Sequence, residues 1–312
     1  MKLSIIVPCY NEEEMVSIFY NTIIEELKKI KINYELIFVN DGSKDNTLDE
    51  LMVICKKNKK VYVIDLSRNF NKEAAMLAGL EYSTGDYVVI MDADLQDPPS
   101  LLREMITILD TKEYDSVATY RINRKGEPPI RTFFARSFYK LINKMTKVEI
   151  VDGARDYRMM TRNMVDSLLK LQEYHRFSKG LFVWVGFKTK YLGYENIERP
   201  AGKTKWSFWK LFSYAIEGIV SFTTIPLRIA TFSGILISLI AFIYLLYIFV
   251  NTLFYGNPVA GWASLACIIL FLGGIQLLSI GIIGEYLART YGEVKKRPVY
   301  IIKEVINDAK NN

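Results

Sequence analysis

Tyr87-Val88-Val89-Ile90-Met91-Asp92-Ala93-Asp94-Leu95-Gln96-Asp97 is the stretch whose reading decides the fold. Five apolar residues with no polar alternation read as a short strand buried on both faces. Two carboxylates at i and i+2 follow at once, where the chain leaves the pleat and both can turn toward one ligand. Three similar runs lie upstream, at residues 3–7, 34–39 and 61–66. Helical stretches separate them. Residues 12–30 carry Met15, Ile18, Phe19, Ile23 and Leu27 at helical spacing, a polar helix runs to about residue 57, and another is predicted over 72–82. Strands alternating with helices imply βαβ units, a mostly parallel sheet and right-handed crossovers. Such sheets bind ligands beyond the carboxyl ends of their strands. Residues 8–12, 40–43 and 92–97 all fall at those ends, so one site can draw on all three.

Beyond Pro98-Pro99 the pattern gives a helix to about residue 109 and a strand near 115–119. Residues 121–136 are basic and partly Gly/Pro-rich, and a helix, a short strand and further helices lead to residues 191–193. The 312 residues carry a net charge of +6, which fits an anionic membrane surface or phosphate-bearing substrates. Nucleic acid is not expected as a partner, because no nucleic-acid motif accompanies the basic residues. Cys9, Cys55 and Cys267 form no CxxC pair and read as small buried hydrophobes in a reducing compartment. The apolar run after Met1 is too short for a signal peptide, so the first part of the chain is expected in the cytosol.

One composition shift divides the chain. No charged residue occurs from Ile229 to Gly284, and within that stretch residues 229–250 and 262–283 are two apolar runs of 22 residues. Each meets the length of roughly 20 needed to span a bilayer as a helix. A buried hairpin inside a large soluble core is the competing reading. Arg228 precedes the first run, Arg289, Lys295, Lys296 and Arg297 follow the second, and the connecting loop is uncharged. The positive-inside rule then puts both ends in the cytoplasm. Lys203, Lys205 and Lys210 interleave with Trp206, Phe208, Trp209 and Phe212, which suits a helix lying among lipid headgroups. The expected organisation is an α/β domain over 1–200, an interfacial segment over 201–227, a two-helix transmembrane hairpin over 228–284 and a cytoplasmic tail over 285–312.

Asp92 and Asp94 supply hard oxygen ligands of the kind that hold Mg²⁺ or Mn²⁺ against a diphosphate. Alone, two acids in a turn are usually just solvated. With Ile6-Val7-Pro8-Cys9-Tyr10-Asn11-Glu12-Glu13, Val39-Asn40-Asp41-Gly42-Ser43-Lys44-Asp45-Asn46-Thr47 and the DxDxQ pattern at 92–96, the chain resembles the family 2 glycosyltransferases of the GT-A, Rossmann-like fold. Leu66-Ser67-Arg68-Asn69-Phe70, Arg176-Phe177-Ser178-Lys179-Gly180, Lys205-Trp206-Ser207 and the pair of C-terminal apolar runs narrow the likeness. It is to bacterial polyprenyl-phosphate glucosyltransferases and dolichyl-phosphate mannose synthases, over nearly the whole chain.

That resemblance implies an inverting transfer of a hexose from a nucleotide sugar to polyprenyl phosphate. UDP-glucose is the first choice of donor, ahead of UDP-N-acetylglucosamine and GDP-mannose. It implies that Pro8, Tyr10 and Glu12 line the nucleoside pocket and that Asp41 reads the base. Asp92, Asp94 and Gln96 would hold the Mg²⁺ or Mn²⁺, while Arg68 and Lys72 neutralise further phosphate charge. Arg121, Arg131, Arg136 and Arg176 are the candidates for the acceptor phosphate. Asp156 would stand near the reaction centre, either as a base or to orient Arg158, the acceptor or the sugar. The sole histidine, His175, has no partner for a triad and is not expected to be catalytic. Close relatives point to a homo-oligomer; Gly273, Gly274, Gly281 and Gly284 suit either that or packing between the two helices of one chain. A processive synthase is disfavoured because only two spans occur and no Gln-x-x-Arg-Trp is present. A non-catalytic scaffold or flippase partner is disfavoured because both aspartates are intact.

Overall fold

The computed structural model describes residues 1–122, 151, 153–195, 220, 223–255 and 261–307. In chain order the first elements are β1 (Lys2–Cys9), α1 (Val16–Ile30), β2 (Asn33–Asn40), α2 (Thr47–Lys57), β3 (Val61–Leu66), α3 (Lys72–Tyr82), β4 (Tyr87–Ile90) and α4 (Leu101–Asp110). Then come β5 (Ser116–Arg121), β6 (Ala154–Thr161), α5 (Arg162–Leu169), α6 (Ser178–Trp184) and β7 (Thr189–Tyr194). Two long helices, α7 (Ile225–Tyr255) and α8 (Trp262–Val294), precede a last strand, β8 (Ile302–Ile306).

The eight strands form one sheet in the order β7-β5-β6-β4-β1-β2-β3-β8. Its centre is parallel, with β1 between β4 and β2 and β2 beside β3, as the alternating pattern predicts. Antiparallel pairs flank that centre, β6 against β4 and β5 on one side and β8 against β3 on the other. Helices on both faces explain the apolar runs: Leu3, Ile5, Ile6 and Val7 are all fully buried. In α1, Val16, Phe19, Ile23 and Leu27 form the stripe turned to the core, and the helix ends where Lys31 turns left-handed and donates its N–H to the Leu27 carbonyl. α3 lies directly on β1. A Cβ on Gly79 would come within 2.3 Å of the Ile6 side chain, so any larger residue would push the helix away.

Strand register aligns the functional loops. Cys9 stands opposite Asn40 and Ile6 opposite Ile90. The Asp41 N–H donates to the Cys9 carbonyl at 2.8 Å, and the Met91 N–H to the Ile6 carbonyl at 2.9 Å. The loops after β1, β2 and β4 therefore leave the sheet side by side.

The chain divides into two compact units, residues 1–218 with 297–312, and residues 219–296. In the second unit, stretches Ile225–Ile248 and Ile268–Val294 are long and apolar enough to cross a membrane. Side chains such as Phe254, 73% exposed, and Leu270, 75% exposed, lie open, unlike those of a hairpin buried in a soluble core. Among the described residues, a Cβ on Gly273, Gly274, Gly281 or Gly284 would meet nothing within 4 Å.

One expectation changes. Residues after 284 are not a free tail, because α8 continues to Val294 and Ile302–Ile306 joins the sheet beside β3. Asn307 fastens that strand by donating to the carbonyls of Lys59 and Val61. The lysine-aromatic stretch of 203–212, within the interfacial segment expected over 201–227, lies outside the described residues.

Candidate active site

The loops after β1 and β2 are laced together by side chains capping backbone groups. The Asn11 N–H donates to Ser43 Oγ at 2.9 Å, the Glu12 N–H to Thr47 Oγ1 at 2.7 Å, and the Lys44 N–H to Asn11 Oδ1 at 2.8 Å. The loop after β3 closes on the same place. Phe70 N–H donates to Asp41 Oδ1 at 2.6 Å, and Asn69 Nδ2 donates to the Asp41 carbonyl at 3.2 Å. Gly42 makes this approach possible. Its φ is +62°, and a Cβ there would sit 2.3 Å from the Arg68 carbonyl carbon. Asp41 is 3% exposed, and burial pushes its carboxyl up to about 6 against the pull of the Phe70 and Asn71 amides and of Arg68. Pro8, Tyr10 and Glu12 are half-buried beside it. Arg68 is exposed, lies 3.9 Å over the Phe70 ring and donates to the Asn69 carbonyl. A cavity of about 310 Å³ opens beside this loop, lined by Asn40, Gly42, Ser43, Arg68, Asn69 and Lys303.

The second cluster gathers around Asp92. Lys72, the first residue of α3, brings its Nζ to 2.6 Å from Asp92 Oδ1 and 2.6 Å from Asp156 Oδ2. Arg155 lies 3.6 Å from Asp92 Oδ2 and 3.2 Å from Asp97 Oδ1. Asp97 also accepts a hydrogen bond from the Tyr194 hydroxyl, and the Tyr157 hydroxyl donates to the Pro98 carbonyl at 3.2 Å. The antiparallel half of the sheet thus clamps the carboxylate loop of the parallel half. Within that loop Leu95 has φ +54°, a left-handed turn that costs a non-glycine residue about 1 kcal/mol. It lets the Gln96 N–H donate to Asp94 Oδ1 at 3.2 Å.

Electrostatics separate these acids. Burial would raise Asp156, but the Lys72 and Lys179 ammonium groups overrule it and hold the carboxyl far below the usual range. Its Oδ1 is buried without a hydrogen-bond partner among the described residues. Asp94 moves the other way, raised first by burial and then by Asp92. It makes no ion pair among the described residues. Glu73, next to Lys72, is raised to about 7 by burial and by Asp156, and it accepts from the N–H and hydroxyl of Ser178.

Most sequence candidates converge: Asp92, Asp94, Gln96, Lys72, Arg121 and Asp156 belong to one cluster, and Pro8, Tyr10, Glu12, Asp41 and Arg68 to the adjoining loops. Two depart from expectation. The Gln96 side-chain oxygen accepts from Arg121 at 3.0 Å, which engages it with a cation. Arg176 is buried, donates to the carbonyl of its neighbour Leu171, and is held below its usual pKa by that burial. Arg131 and Arg136 lie outside the described residues. Sequence reasoning missed Asp97, Arg155, Tyr194 and Glu73. Asp97 closes the DxDxQ run and Arg155 precedes Asp156, so adjacency was the only available signal.

A divalent cation fits this donor set on chemical grounds. Asp94 and Asp92 offer hard carboxylate oxygens two residues apart, and the raised Asp94 carboxyl marks a place that favours an added positive charge. Among the described residues no cluster of three His, Cys, Asp or Glu forms, so further ligands would come from a bound molecule or water.

The model of glycosyl transferase family 2 matches residues 4–169, and the GtrB C-terminal hairpin matches residues 225–290. A putative glycosyltransferase of Bacillus subtilis, CsbB, is 47% identical over 97% of this chain and 91% of its own. A prophage bactoprenol glucosyl transferase homolog of Escherichia coli is 43% identical over 98% and 99%. The bactoprenol glucosyl transferase of Shigella phage SfII is 42% identical over 97% and 98%.

Proposed function

The chain belongs to glycosyl transferase family 2 and carries the GtrB C-terminal hairpin, and from that premise we propose that it transfers glucose from UDP-glucose to a polyprenyl phosphate. The observation that carries this reading is that likeness to bactoprenol glucosyl transferases runs through the catalytic unit and the hairpin alike, over 97–98% of this chain. The transfer is a single displacement with inversion at the anomeric carbon.

Asp41, with Pro8, Tyr10 and Glu12 beside it, accepts the base N–H, and Arg68 and Lys72 face the diphosphate. Asp94 and Asp92 would hold Mg²⁺ or Mn²⁺, whose charge would offset what grows on a departing diphosphate. The acceptor oxygen belongs to a phosphate monoester with a second pKa of about 6, so it arrives largely deprotonated. Asp156, held ionised by Lys72, is too weak a base to be needed and instead keeps the ammonium in place. Arg121, at the carboxyl end of β5, meets the acceptor phosphate, and Arg131 and Arg136 are proposed to join it. The hairpin anchors this site at the cytoplasmic face, with Arg228, Arg289, Lys295, Lys296 and Arg297 on the cytoplasmic side.

The test offers labelled UDP- and GDP-sugars with undecaprenyl phosphate and Mg²⁺ or Mn²⁺ to the full-length protein and to Asp94→Asn. UDP-glucose should label the lipid, and the variant should lose roughly 100-fold or more in rate. Label from no sugar, or a variant as fast as the parent, defeats the reading.

A further inference from the structure

Positive charge is distributed unevenly over the two aspartates. Asp92 has a cation at each oxygen, Lys72 at 2.6 Å and Arg155 at 3.6 Å. Among the described residues Asp94 has the Gln96 N–H at 3.2 Å as its one close partner. Lys72 is also delivered from a rigid element, because α3 is seated on β1 and tied through Glu73 to Ser178 at the start of α6. Its ammonium has three donors, and Asp156 at 2.6 Å holds one of them independently of Asp92.

We infer that Lys72 is the resident counter-cation of Asp92, which a divalent ion must displace and which then turns to the donor diphosphate while Asp156 retains it. The inference rests on the metal-dependent reading above. The physical reason is competition. An ammonium in hydrogen-bond contact with a carboxylate oxygen and a divalent ion on that oxygen repel each other at short range. Asp94, free of ion pairs among the described residues, is the ligand the ion meets first, and Asp92 follows only as Lys72 leaves it. A diphosphate gives the displaced ammonium a new partner, so ion and nucleotide bind cooperatively, each improving the other by the same factor.

The experiment measures Mn²⁺ binding by the full-length protein in detergent, with and without saturating UDP, for the parent, Lys72→Met and Lys72→Arg. Without UDP, Lys72→Met should bind Mn²⁺ on the order of tenfold more tightly than the parent. With saturating Mn²⁺ the same variant should bind UDP more weakly. Lys72→Arg, which keeps the charge, should match the parent in Mn²⁺ affinity. A lysine that merely supports the fold would not tighten metal binding on removal. Should Lys72→Met fail to fold, Lys72→Gln keeps a donor for Asp156 while removing the charge, and the same tightening is expected. Mn²⁺ affinity equal to or weaker than the parent's in the uncharged variant overturns the inference and leaves the metal reading intact. Absence of Mn²⁺ binding from every protein, with or without UDP, overturns both.

Discussion

Replacing Asp41 by Asn should make the protein relatively more stable as pH rises while weakening its hold on the nucleoside. Burial lifts the Asp41 carboxyl from an ordinary 3.8 to about 6, so the folded protein takes up a proton at a pH where the unfolded chain has lost it. Below 3.8 both states are protonated and burial costs nothing through this group. Between 3.8 and 6 the unfolded chain ionises first, which favours unfolding, and above 6 the penalty is complete. Those two values give about 1 kcal/mol at pH 4.5 and about 3 kcal/mol at pH 8. Asparagine never carries the charge. Its oxygen can keep the Phe70 N–H now bonded at 2.6 Å, and any loss at the neighbouring amide does not vary with pH. The stability of Asp41→Asn minus that of the parent should therefore grow by about 2 kcal/mol from pH 4.5 to pH 8. For a chain this long that moves the melting-temperature gap by about 3 °C. Thermal unfolding of both full-length proteins in one detergent across that range reads it directly. Uridine binding at pH 8 should meanwhile weaken about 10- to 100-fold, the worth of one charge-assisted hydrogen bond. A gap that stays flat or narrows with rising pH refutes the burial argument, and unchanged uridine affinity refutes the assignment of the base contact.

Asp97→Ala removes the carboxylate shared by Arg155 and Tyr194 in a place only 1% exposed, leaving the half-buried Arg155 guanidinium with Asp92 alone at 3.6 Å. The expected loss of about 3 kcal/mol should lower the melting temperature by roughly 5 °C, and a shift under 2 °C would show the clamp to be dispensable. Gly42→Ala sets a Cβ against the Arg68 backbone and strains a positive φ, so the 67–71 loop should open to limited proteolysis and UDP affinity should fall; unchanged cleavage kinetics would count against that close approach. Deleting residues 301–312 removes β8 and bares the edge of β3, which should lower the melting temperature and promote aggregation on size-exclusion chromatography; a monodisperse, equally stable product contradicts it.

The parallel centre of the sheet was legible because strands buried on both faces must be largely apolar, and Ile5 to Val7, Leu36 to Val39 and Val88 to Ile90 obey that rule. The β8 strand was not. Ile302-Lys303-Glu304-Val305-Ile306 is short, half charged at its centre and largely exposed, and its pairing with β3 spans more than 230 residues of sequence. The same division runs through the site. Asp92 and Asp94 announce themselves by chemistry and spacing, whereas the bridge from Lys72 to Asp92 and Asp156 exists only after β4 and β6 pair. Residue type alone also offered no way to tell Arg121, which reaches Gln96, from Arg176, which turns inward to the Leu171 carbonyl.

The return of the chain to the sheet at β8 makes residues 219–296 an insertion within the catalytic unit rather than an appendage to it. Cutting the chain before the hairpin would discard a strand along with the anchor and leave β3 as an open template for pairing with other molecules. A soluble form of the enzyme is better made by excision: remove 219–296, rejoin the flanks through a flexible linker, and keep β8 so that the sheet closes on its own edge.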